Sequence, residues 1–211
     1  TGVSPTAVVI LGAGTASEYA AKAALALGAQ VQIFDYSLSR LRNIQVKLGQ
    51  RIFTSVFHPQ ILEKSLKGAD VVIGAQDMIE SKQRFIVPEY MVKLMKKGAV
   101  IVDISIDQGG CFETSVTTDH NAPVIERHGV IHYGVPNIPS RTARTASIAL
   151  SNVLAPLLQN ISNSGGFKQY LLKNSGLRKG IYIYGGILTN QHLGDYFGIS
   201  SNDIDLFTAI F

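Results

Sequence analysis

An apolar run that leads straight into two glycines is the feature that most constrains this chain. Residues 8–11 are Val-Val-Ile-Leu, Gly12 and Gly14 follow, and a segment of helix-forming composition extends from Glu18 to Leu27. This pattern is typical of a buried parallel strand, a tight turn and the N-terminus of a helix. Gly12 permits the turn, and Gly14 would let the backbone approach a diphosphate, because a Cβ there would be in the way. The unpaired amides of the first helical turn and the helix dipole favour an anion at this point.

An acidic residue at a suitable distance strengthens this interpretation. Residues 31–35, Val-Gln-Ile-Phe-Asp, are predicted to form a second strand that ends in a carboxylate. Asp35 follows Gly14 by about 20 residues, where the dinucleotide-binding fingerprint places an acid for the ribose hydroxyls. Ser17 stands where the usual pattern has a third glycine, and it is small enough for close packing of helix on strand. Alternatively, Asp35 could cap the helix predicted over residues 37–48.

Composition and charge argue against several classes of function. The net charge is +4, and the basic residues are scattered rather than arranged in a stripe with interleaved aromatics, so we expect no nucleic-acid partner. The sequence has no apolar run of membrane-spanning length, so we expect no membrane partner. Cys111 is the only cysteine, which excludes a disulfide within the chain and suits a reducing cytoplasm. His128 and His132 lack a third ligand, and no metal site is predicted.

Strands and helices alternate along most of the chain. Strands are predicted at residues 8–11, 31–35, 71–74, 100–104 and 130–133, with a shorter one at 51–54. Helices are predicted at residues 17–27, 37–48, 59–66 and 89–96. The strands are continuous apolar runs, as in a parallel sheet that is covered on both faces. The pattern therefore predicts an α/β fold with a doubly wound, Rossmann-type parallel sheet.

This alternation breaks down after residue 133. Prolines and paired glycines interrupt the remainder, in which helices are predicted over residues 142–154 and 202–211. Such a tail is too short and too broken by glycine to hold a core of its own. We expect a dinucleotide-binding domain over residues 1–140, and over residues 141–211 a helical segment of a second domain. The other part of that second domain would lie in an N-terminal portion that this sequence does not contain.

A further motif follows the strand predicted at residues 100–104. Residues 102–110, Val-Asp-Ile-Ser-Ile-Asp-Gln-Gly-Gly, leave the strand through an acid and two glycines. Ligands of open α/β sheets lie beyond the carboxyl ends of the strands, which places Asp107 near the reacting end of a dinucleotide stretched along that edge. Spacing alone leaves open that Asp107 belongs to an ordinary Asp-x-Gly turn.

Three segments together resemble the alanine dehydrogenase family. Residues 12–15 are Gly-Ala-Gly-Thr, residues 105–113 are Ser-Ile-Asp-Gln-Gly-Gly-Cys-Phe-Glu, and residues 135–139 are Val-Pro-Asn-Ile-Pro. The resemblance covers nearly the whole chain. It implies NAD-dependent oxidative deamination of L-alanine to pyruvate and ammonia, and the reverse amination. It also implies a homohexamer of two-domain subunits, in which the two ends of the chain form the catalytic domain and the NAD domain lies between them.

The resemblance also assigns roles to individual residues of this chain. Asp107 would be the acid at the reacting centre, with Asn137 as its polar neighbour. The cofactor-binding residues would be Gly12, Gly14, Thr15 and Ala16 at the diphosphate, Asp35 and Arg40 at the adenosine ribose, Gln76 bordering the cofactor, and Ile104, Asp107, Val135, Asn137 and Ile138 at the nicotinamide half. The family's substrate-binding Arg, its Lys and its proton-transferring His would lie in the N-terminal portion. Arg141 and Arg144 are interpreted as surface or interface residues rather than as replacements. Segment 77–87 is more charged than the resemblance implies.

Two other functions stay open from the sequence. One is the nucleotide-binding portion of a proton-translocating transhydrogenase, which has a related fold, would pass hydride to a second nucleotide and would need membrane partners. The other is a non-enzymatic module that senses NAD(H) and binds a protein. The Ser-Ile-Asp-Gln-Gly-Gly string at residues 105–110 favours the dehydrogenase.

Overall fold

The computed structural model describes residues 2–78 and 84–208 of the 211-residue chain. The chain divides into two compact units, Thr1–Ile138 and Pro139–Phe211, which are described separately. In the part of the chain that the structure describes, no helix combines the length and apolar character that crossing a membrane requires.

The first unit is an α/β sheet with helices on both faces. Its strands are β1 Ala7–Leu11, β2 Gln30–Phe34, β3 Phe53–Ser55, β4 Val71–Gly74, β5 Val100–Asp103, β6 Val124–Arg127 and β7 Val130–Tyr133. Its helices are α1 Thr15–Ala26, α2 Leu38–Leu48, α3 Pro59–Gly68 and α4 Glu89–Val92, with a short 3-10 helix at Ile106–Gln108. The predicted Rossmann-type α/β fold is confirmed, because each strand predicted from an apolar run overlaps an observed strand.

The order of the strands places a crevice beside β1. The strands lie in the order β3-β2-β1-β4-β5-β7-β6, so the chain builds outward from β1 to one side and then to the other. Leu11 pairs with Phe34 and with Gly74, and Gly74 pairs with Asp103, so the carboxyl ends of β1, β2, β4 and β5 are level. Sheets of this order bind ligands at the switch point, outside the carboxyl ends of the strands. The loops that follow these strands therefore form one candidate surface.

Burial on both faces explains why the strands are continuous apolar runs. In β1, Val8 and Ile10 pack with α1 and α2 on one face, whereas Val9 and Leu11 pack with the α3 and α4 side. Successive side chains of a strand point to opposite faces, so a strand that is covered on both faces, such as β1, has no solvent-facing side where polar residues would be favoured.

The sequence predicted a parallel sheet, but one pair of strands is antiparallel. β6 pairs antiparallel with β7, from Val124 opposite Tyr133 to Arg127 opposite Val130. The turn between them is His128-Gly129, with φ values of 57° and 75°. Two-residue hairpin turns with positive φ at both positions match the twist of the strands that they join. The pattern was missed because His is an uncommon residue in such a turn and β6 is largely exposed.

Some helix boundaries differ from the prediction. α1 begins at Thr15 rather than at residue 17. α4 ends at Val92 rather than at residue 96, because the amides of Leu94 and Met95 donate to carbonyls only three residues back, those of Met91 and Val92. Such bonds tighten the chain into turns that no longer continue an α-helix.

The second unit is mainly helical. It contains α5 Ala143–Asn163, α6 Phe167–Lys173, α7 Ser175–Lys179, β8 Ile183–Tyr184, β9 Ile187–Leu188, α8 Gln191–Phe197 and α9 Ile204–Thr208, and a 3-10 helix at Ile138–Thr142 precedes α5. The helix predicted over residues 142–154 continues through Pro156, because the residues on both sides still form helical turns. The helix predicted over residues 202–211 forms as α9, and residues 209–211 lie outside the described part.

Candidate functional site

The turn after β1 requires glycine at its first position. Gly12 has a φ of 102°, and a Cβ there would lie 2.5 Å from the carbonyl oxygen of Ala75 and 2.8 Å from the amide nitrogen of Gln76. Its amide donates to the carbonyl of Phe34 at 2.6 Å. The turn is therefore held between the end of β2 and the loop that follows β4, and it leaves no room for a side chain at Gly12.

The second glycine of the turn has a different environment. Gly14 is the N-cap of α1, it is exposed, and no described atom lies within 4 Å of the Cβ position. The protein's own packing therefore does not require glycine here, and the space in front of the α1 amides is open. Thr15 and Ala16, in the first turn, are also exposed. Free amides and the positive end of the helix dipole in open space suit a diphosphate.

Asp35 joins two loops of this edge. Its side chain is 1% exposed, Oδ2 accepts from the amide of Ala13 at 2.7 Å, and Oδ1 accepts from the amide of Ser37 at 2.7 Å. The alternative that Asp35 caps α2 is wrong, since Ser37 is the N-cap and accepts from the amide of Arg40. Arg40 lies in the first turn of α2 and is exposed. A carboxylate has several lone pairs, so the two amide bonds leave Asp35 able to accept from a further donor.

Hydrogen bonds join the loops that follow β4 and β5. Ser105 donates from Oγ to the carbonyl of Gln76 at 2.7 Å, and Gln108 Oε1 accepts from the amide of Met78 at 3.0 Å. Gln76 is itself buried. Asp107, between the two anchor residues Ser105 and Gln108, is exposed on the short 3-10 helix. The structure thus brings Gln76 and the Asp107 loop together at one edge of the sheet.

The loop after β7 carries the remaining predicted residues. Val135 is buried, Ile138 is half-buried and Asn137 is exposed. Asn137 has a φ of 54°, a left-handed conformation that Asn tolerates better than most residues. All of the predicted site residues, Ile104 among them, lie in loops or first helical turns at the carboxyl edge of the sheet. Among the described residues, no hydrogen bond joins Asp107 to Asn137.

The sequence interpretation missed the role of Asp103. This last residue of β5 is fully buried, and its carboxylate accepts from the amide of Cys111 at 2.9 Å and 3.2 Å. Burial raises the pKa of Asp103, an effect that the hydrogen bond from the amide of Cys111 opposes. A carboxylate at the end of a buried strand needs donors, and the two glycines downstream were the available signal that the chain turns back to supply one.

Cys111 and the two histidines have structural environments. Burial, and then the charge of Asp103, raise the pKa of the Cys111 thiol to about 12, which suits a packing residue. His132 is buried between the hydroxyl of Thr114, 2.7 Å from Nε2, and the carbonyl of Val130, 3.0 Å from Nδ1. Because that carbonyl can only accept, Nδ1 donates and Nε2 accepts, and burial lowers the pKa of His132. His128 instead contacts Glu89.

Other sequence features do not add to this edge. Within residues 2–78 and 84–208, no group of three or more His, Cys, Asp or Glu side chains is arranged to hold a metal ion. Arg141 and Arg144 are exposed in the second unit. Of the charged segment 77–87, residues 79–83 lie outside the described residues.

The chain is similar to known dehydrogenases over nearly its whole length. It is 41% identical over 206 residues to an alanine dehydrogenase of Staphylococcus saprophyticus, covering 97% of this chain and 55% of that protein. It is 38% identical over 205 residues to alanine dehydrogenase 2 of Staphylococcus aureus, with the same coverage of 97% and 55%. The chain therefore spans about half the length of the curated relatives it matches.

Solved structures also resemble this chain over most of its length. An L-alanine dehydrogenase superposes with a TM-score of 0.81 at 38% identity, covering 93% of this chain and 54% of that one. A transhydrogenase from Sinorhizobium meliloti superposes with a TM-score of 0.65 at 22% identity, covering 90% of this chain and 51% of that one, which shows a shared fold.

A family model settles the resemblance that the sequence motifs indicated. The model described as "Alanine dehydrogenase/PNT, C-terminal domain" matches residues 1–191, and therefore includes every loop of the candidate site. The glycine turn, the carboxylates at the strand ends and this match together show that the chain belongs to the alanine dehydrogenase/PNT C-terminal domain family.

Proposed function

We propose that this chain is the NAD-binding portion of an L-alanine dehydrogenase. The reaction would convert L-alanine, NAD⁺ and water to pyruvate, ammonium, NADH and a proton. The observation that carries the proposal is the open space at Gly14, in front of the first turn of α1 and beside the switch point of the sheet. Similarity to alanine dehydrogenases over 97% of this chain supports it.

The residues of the first unit fit an extended dinucleotide. The turn from Gly12 to Ala16 would bind the diphosphate through backbone amides. Asp35 would accept hydrogen bonds from the adenosine ribose hydroxyls while it holds the Ala13 amide. Arg40 would lie nearby, and Gln76 would border the cofactor where β4 ends.

The nicotinamide half would lie over the ends of β5 and β7. Bound NAD⁺ supplies the hydride acceptor for the Cα hydrogen of alanine. Ile104, Val135 and Ile138 would exclude water around the ring, and Asn137 would provide a polar contact. Asp107 would act at the reacting centre as an exposed carboxylate that can accept a hydrogen bond from the amino group of the substrate.

The remaining machinery would come from outside this chain. An α-carboxylate is best held by an Arg fork, and the amine must lose a proton to a base. We propose that these groups lie in an N-terminal portion, which would complete a catalytic domain with residues 141–211. The whole protein would be a cytoplasmic homohexamer that acts on an amino acid and an oxo acid.

Substitution of Asp107 tests its role in the reaction. The test uses a protein as long as the relatives that this chain matches. In it, Asp107→Asn should lower kcat by roughly a hundred-fold or more, because the substitution removes the charge of this side chain and keeps its shape. Its affinity for NADH should change much less. Glu126→Gln, which removes an exposed carboxylate on β6, is the matched control and should leave kcat within about two-fold. Turnover of Asp107→Asn within two-fold of the parent would assign Asp107 to an ordinary turn.

Assays of hydride transfer and of NADH binding separate the other two functions. Hydride transfer between two nucleotides without alanine would indicate a transhydrogenase. A full-length protein that binds NADH but shows no turnover would indicate a sensing module.

A further inference from the structure

A buried carboxylate closes the loop that carries Asp107. Asp103 lies at the base of this loop, and both of its oxygens lie within hydrogen-bonding distance of the amide of Cys111, eight residues later in the chain. The side chain of Asp103 is fully buried. Without its donor, the buried carboxylate would have a desolvation free energy that no hydrogen bond offsets. The hydrogen bond from the Cys111 amide therefore strongly favours the closed loop.

Gly110 and Gly74, two glycines that lie against Asp103, have no room for a side chain. A Cβ on Gly110 would lie 2.7 Å from Oδ2 of Asp103, and Gly110 has a φ of 84°. A Cβ on Gly74, in the neighbouring strand, would lie 3.0 Å from Oδ1 of Asp103 and 2.9 Å from Cβ of Cys111. The packing therefore keeps the carboxylate and the returning chain in one arrangement.

Hydrogen bonds within the loop connect Asp107 to the contact between Asp103 and Cys111. The amides of Gln108 and Gly110 donate to the carbonyl of Ser105, and the amide of Gly109 donates to the carbonyl of Ile106. Ile106 is buried, which anchors the residue that precedes Asp107. Asp107 is thus an exposed residue on a loop that is fixed at both ends.

We infer that Asp103 is a positioning residue, which holds the Asp107 carboxylate in place through the amide of Cys111. Asp103 itself would touch neither substrate nor cofactor, because both of its oxygens face the returning chain at the amide of Cys111 and pack against Gly74 and Gly110. The inference rests on the proposed function, in which Asp107 acts at the reacting centre.

The thiol of Cys111 reports directly on the closed loop. Cys111 is the only cysteine of this chain, and it is buried. In the 211-residue chain, Asp103→Asn keeps one acceptor oxygen and replaces the other with a donor. The rate at which Ellman's reagent modifies Cys111 should rise about ten-fold or more, because loss of a charge-assisted hydrogen bond favours local opening. Asp70→Asn is the matched control, since Asp70 also accepts from a backbone amide, that of Ala7, and it should leave the rate within about two-fold.

A double-mutant cycle at full length shows whether Asp103 acts through Asp107. Asp103→Asn should lower kcat about ten-fold or more with little change in NADH affinity. Combined with Asp107→Asn, it should add almost nothing, because the group that it positions is already lost. Multiplicative losses in the double variant would overturn the inference, as would an unchanged thiol rate in Asp103→Asn.

A second variant covers the case in which Asp103→Asn does not fold. Gly110→Ala perturbs the same contact from the loop side, and the same rise in thiol reactivity and the same cycle with Asp107→Asn are expected. The proposed function fails separately: if Asp107→Asn alone leaves turnover unchanged, Asp107 has no catalytic role, whatever the thiol rate of Asp103→Asn. In that case the contact of Asp103 with Cys111 is structural only, and the positioning role is rejected.

Discussion

Two buried carboxylates organise the carboxyl edge of the sheet at the scale of single residues. Asp35 accepts from the amide of Ala13, 22 residues before it, and Asp103 accepts from that of Cys111, eight residues after it. Both lie at strand ends, where a loop can bring an amide to the carboxylate. A buried carboxylate costs free energy unless such donors are present, so each fixes the loop that supplies them.

The charge of Asp35 should determine the choice of cofactor. The parent chain should bind NADH better than NADPH, because a carboxylate repels a 2′-phosphate on the ribose. Asp35→Asn should weaken NADH binding roughly ten-fold, since a hydrogen bond to a charged group contributes about 1.5–3 kcal/mol. It should also reduce the preference for NADH over NADPH. Calorimetric titration with both nucleotides measures the two effects.

The control for Asp35 is a carboxylate at the opposite edge of the sheet. Asp70 precedes β4, accepts from the amide of Ala7 at 2.8 Å and pairs with Lys96, so Asp70→Asn removes the charge of a carboxylate bonded to a backbone amide far from the crevice. Its affinity for NADH should match that of the parent. Equal affinities of the unmodified chain for NADH and NADPH would contradict the assignment of Asp35 to the ribose.

At the scale of elements, the β1–turn–α1 unit combines one glycine needed by the fold and one available to a ligand. Gly12 is required by its positive φ and by the backbone of Ala75. Gly14 meets no neighbour, and its φ of −86° is accessible to any residue. The same sequence motif therefore contains two glycines with separable roles.

Substitutions at these glycines should separate stability from binding. Gly12→Ala should lower the free energy of unfolding by roughly 2–5 kcal/mol, because both strain and overlap with backbone atoms oppose it. Gly14→Val should leave the melting temperature nearly unchanged yet abolish NADH binding, because its side chain would occupy the space of the diphosphate. Thermal melts and NADH titrations of the two variants measure this contrast. Normal NADH affinity in a folded Gly14→Val variant would place the diphosphate elsewhere.

At the scale of the whole molecule, the chain corresponds to about half of its relatives. Its first unit has a hydrophobic core on each face of the sheet. The second unit includes α5, a helix in which no residue is buried and Val153 and Leu158 are 68% and 64% exposed. These properties agree with our proposal that residues 141–211 belong to a domain shared with another portion of the protein.

The chain alone should therefore bind NADH without deaminating alanine. Purified chain mixed with NAD⁺ and L-alanine should give no increase in NADH absorbance, because the Arg and the base that the reaction needs would be missing. Addition of the separately expressed N-terminal portion should restore some turnover. Alanine-dependent formation of NADH by the chain alone would show that all of the catalytic groups lie within these residues.

Local patterns in the sequence determined the class of fold and predicted where the candidate site lies. Strands buried on both faces are mostly apolar, so β1, β2, β4, β5 and β7 could be recognised without any knowledge of their neighbours, although β2 contains Gln32 and β7 contains His132. Gly12 and Gly14 were recognisable for the same reason, since the requirement for a tight strand-to-helix turn is local. These features are sufficient to predict a doubly wound sheet with a dinucleotide site beside β1.

Only the tertiary structure decided which side chains hold the edge together. The antiparallel addition of β6, the bond from Asp35 to Ala13 and the closing of the Asp107 loop by Asp103 each depend on contacts between separate segments. A sequence pattern gives the burial of a residue but does not give its partner. For a buried carboxylate the partner determines the role, because the free energy of that group depends on the donors that reach it.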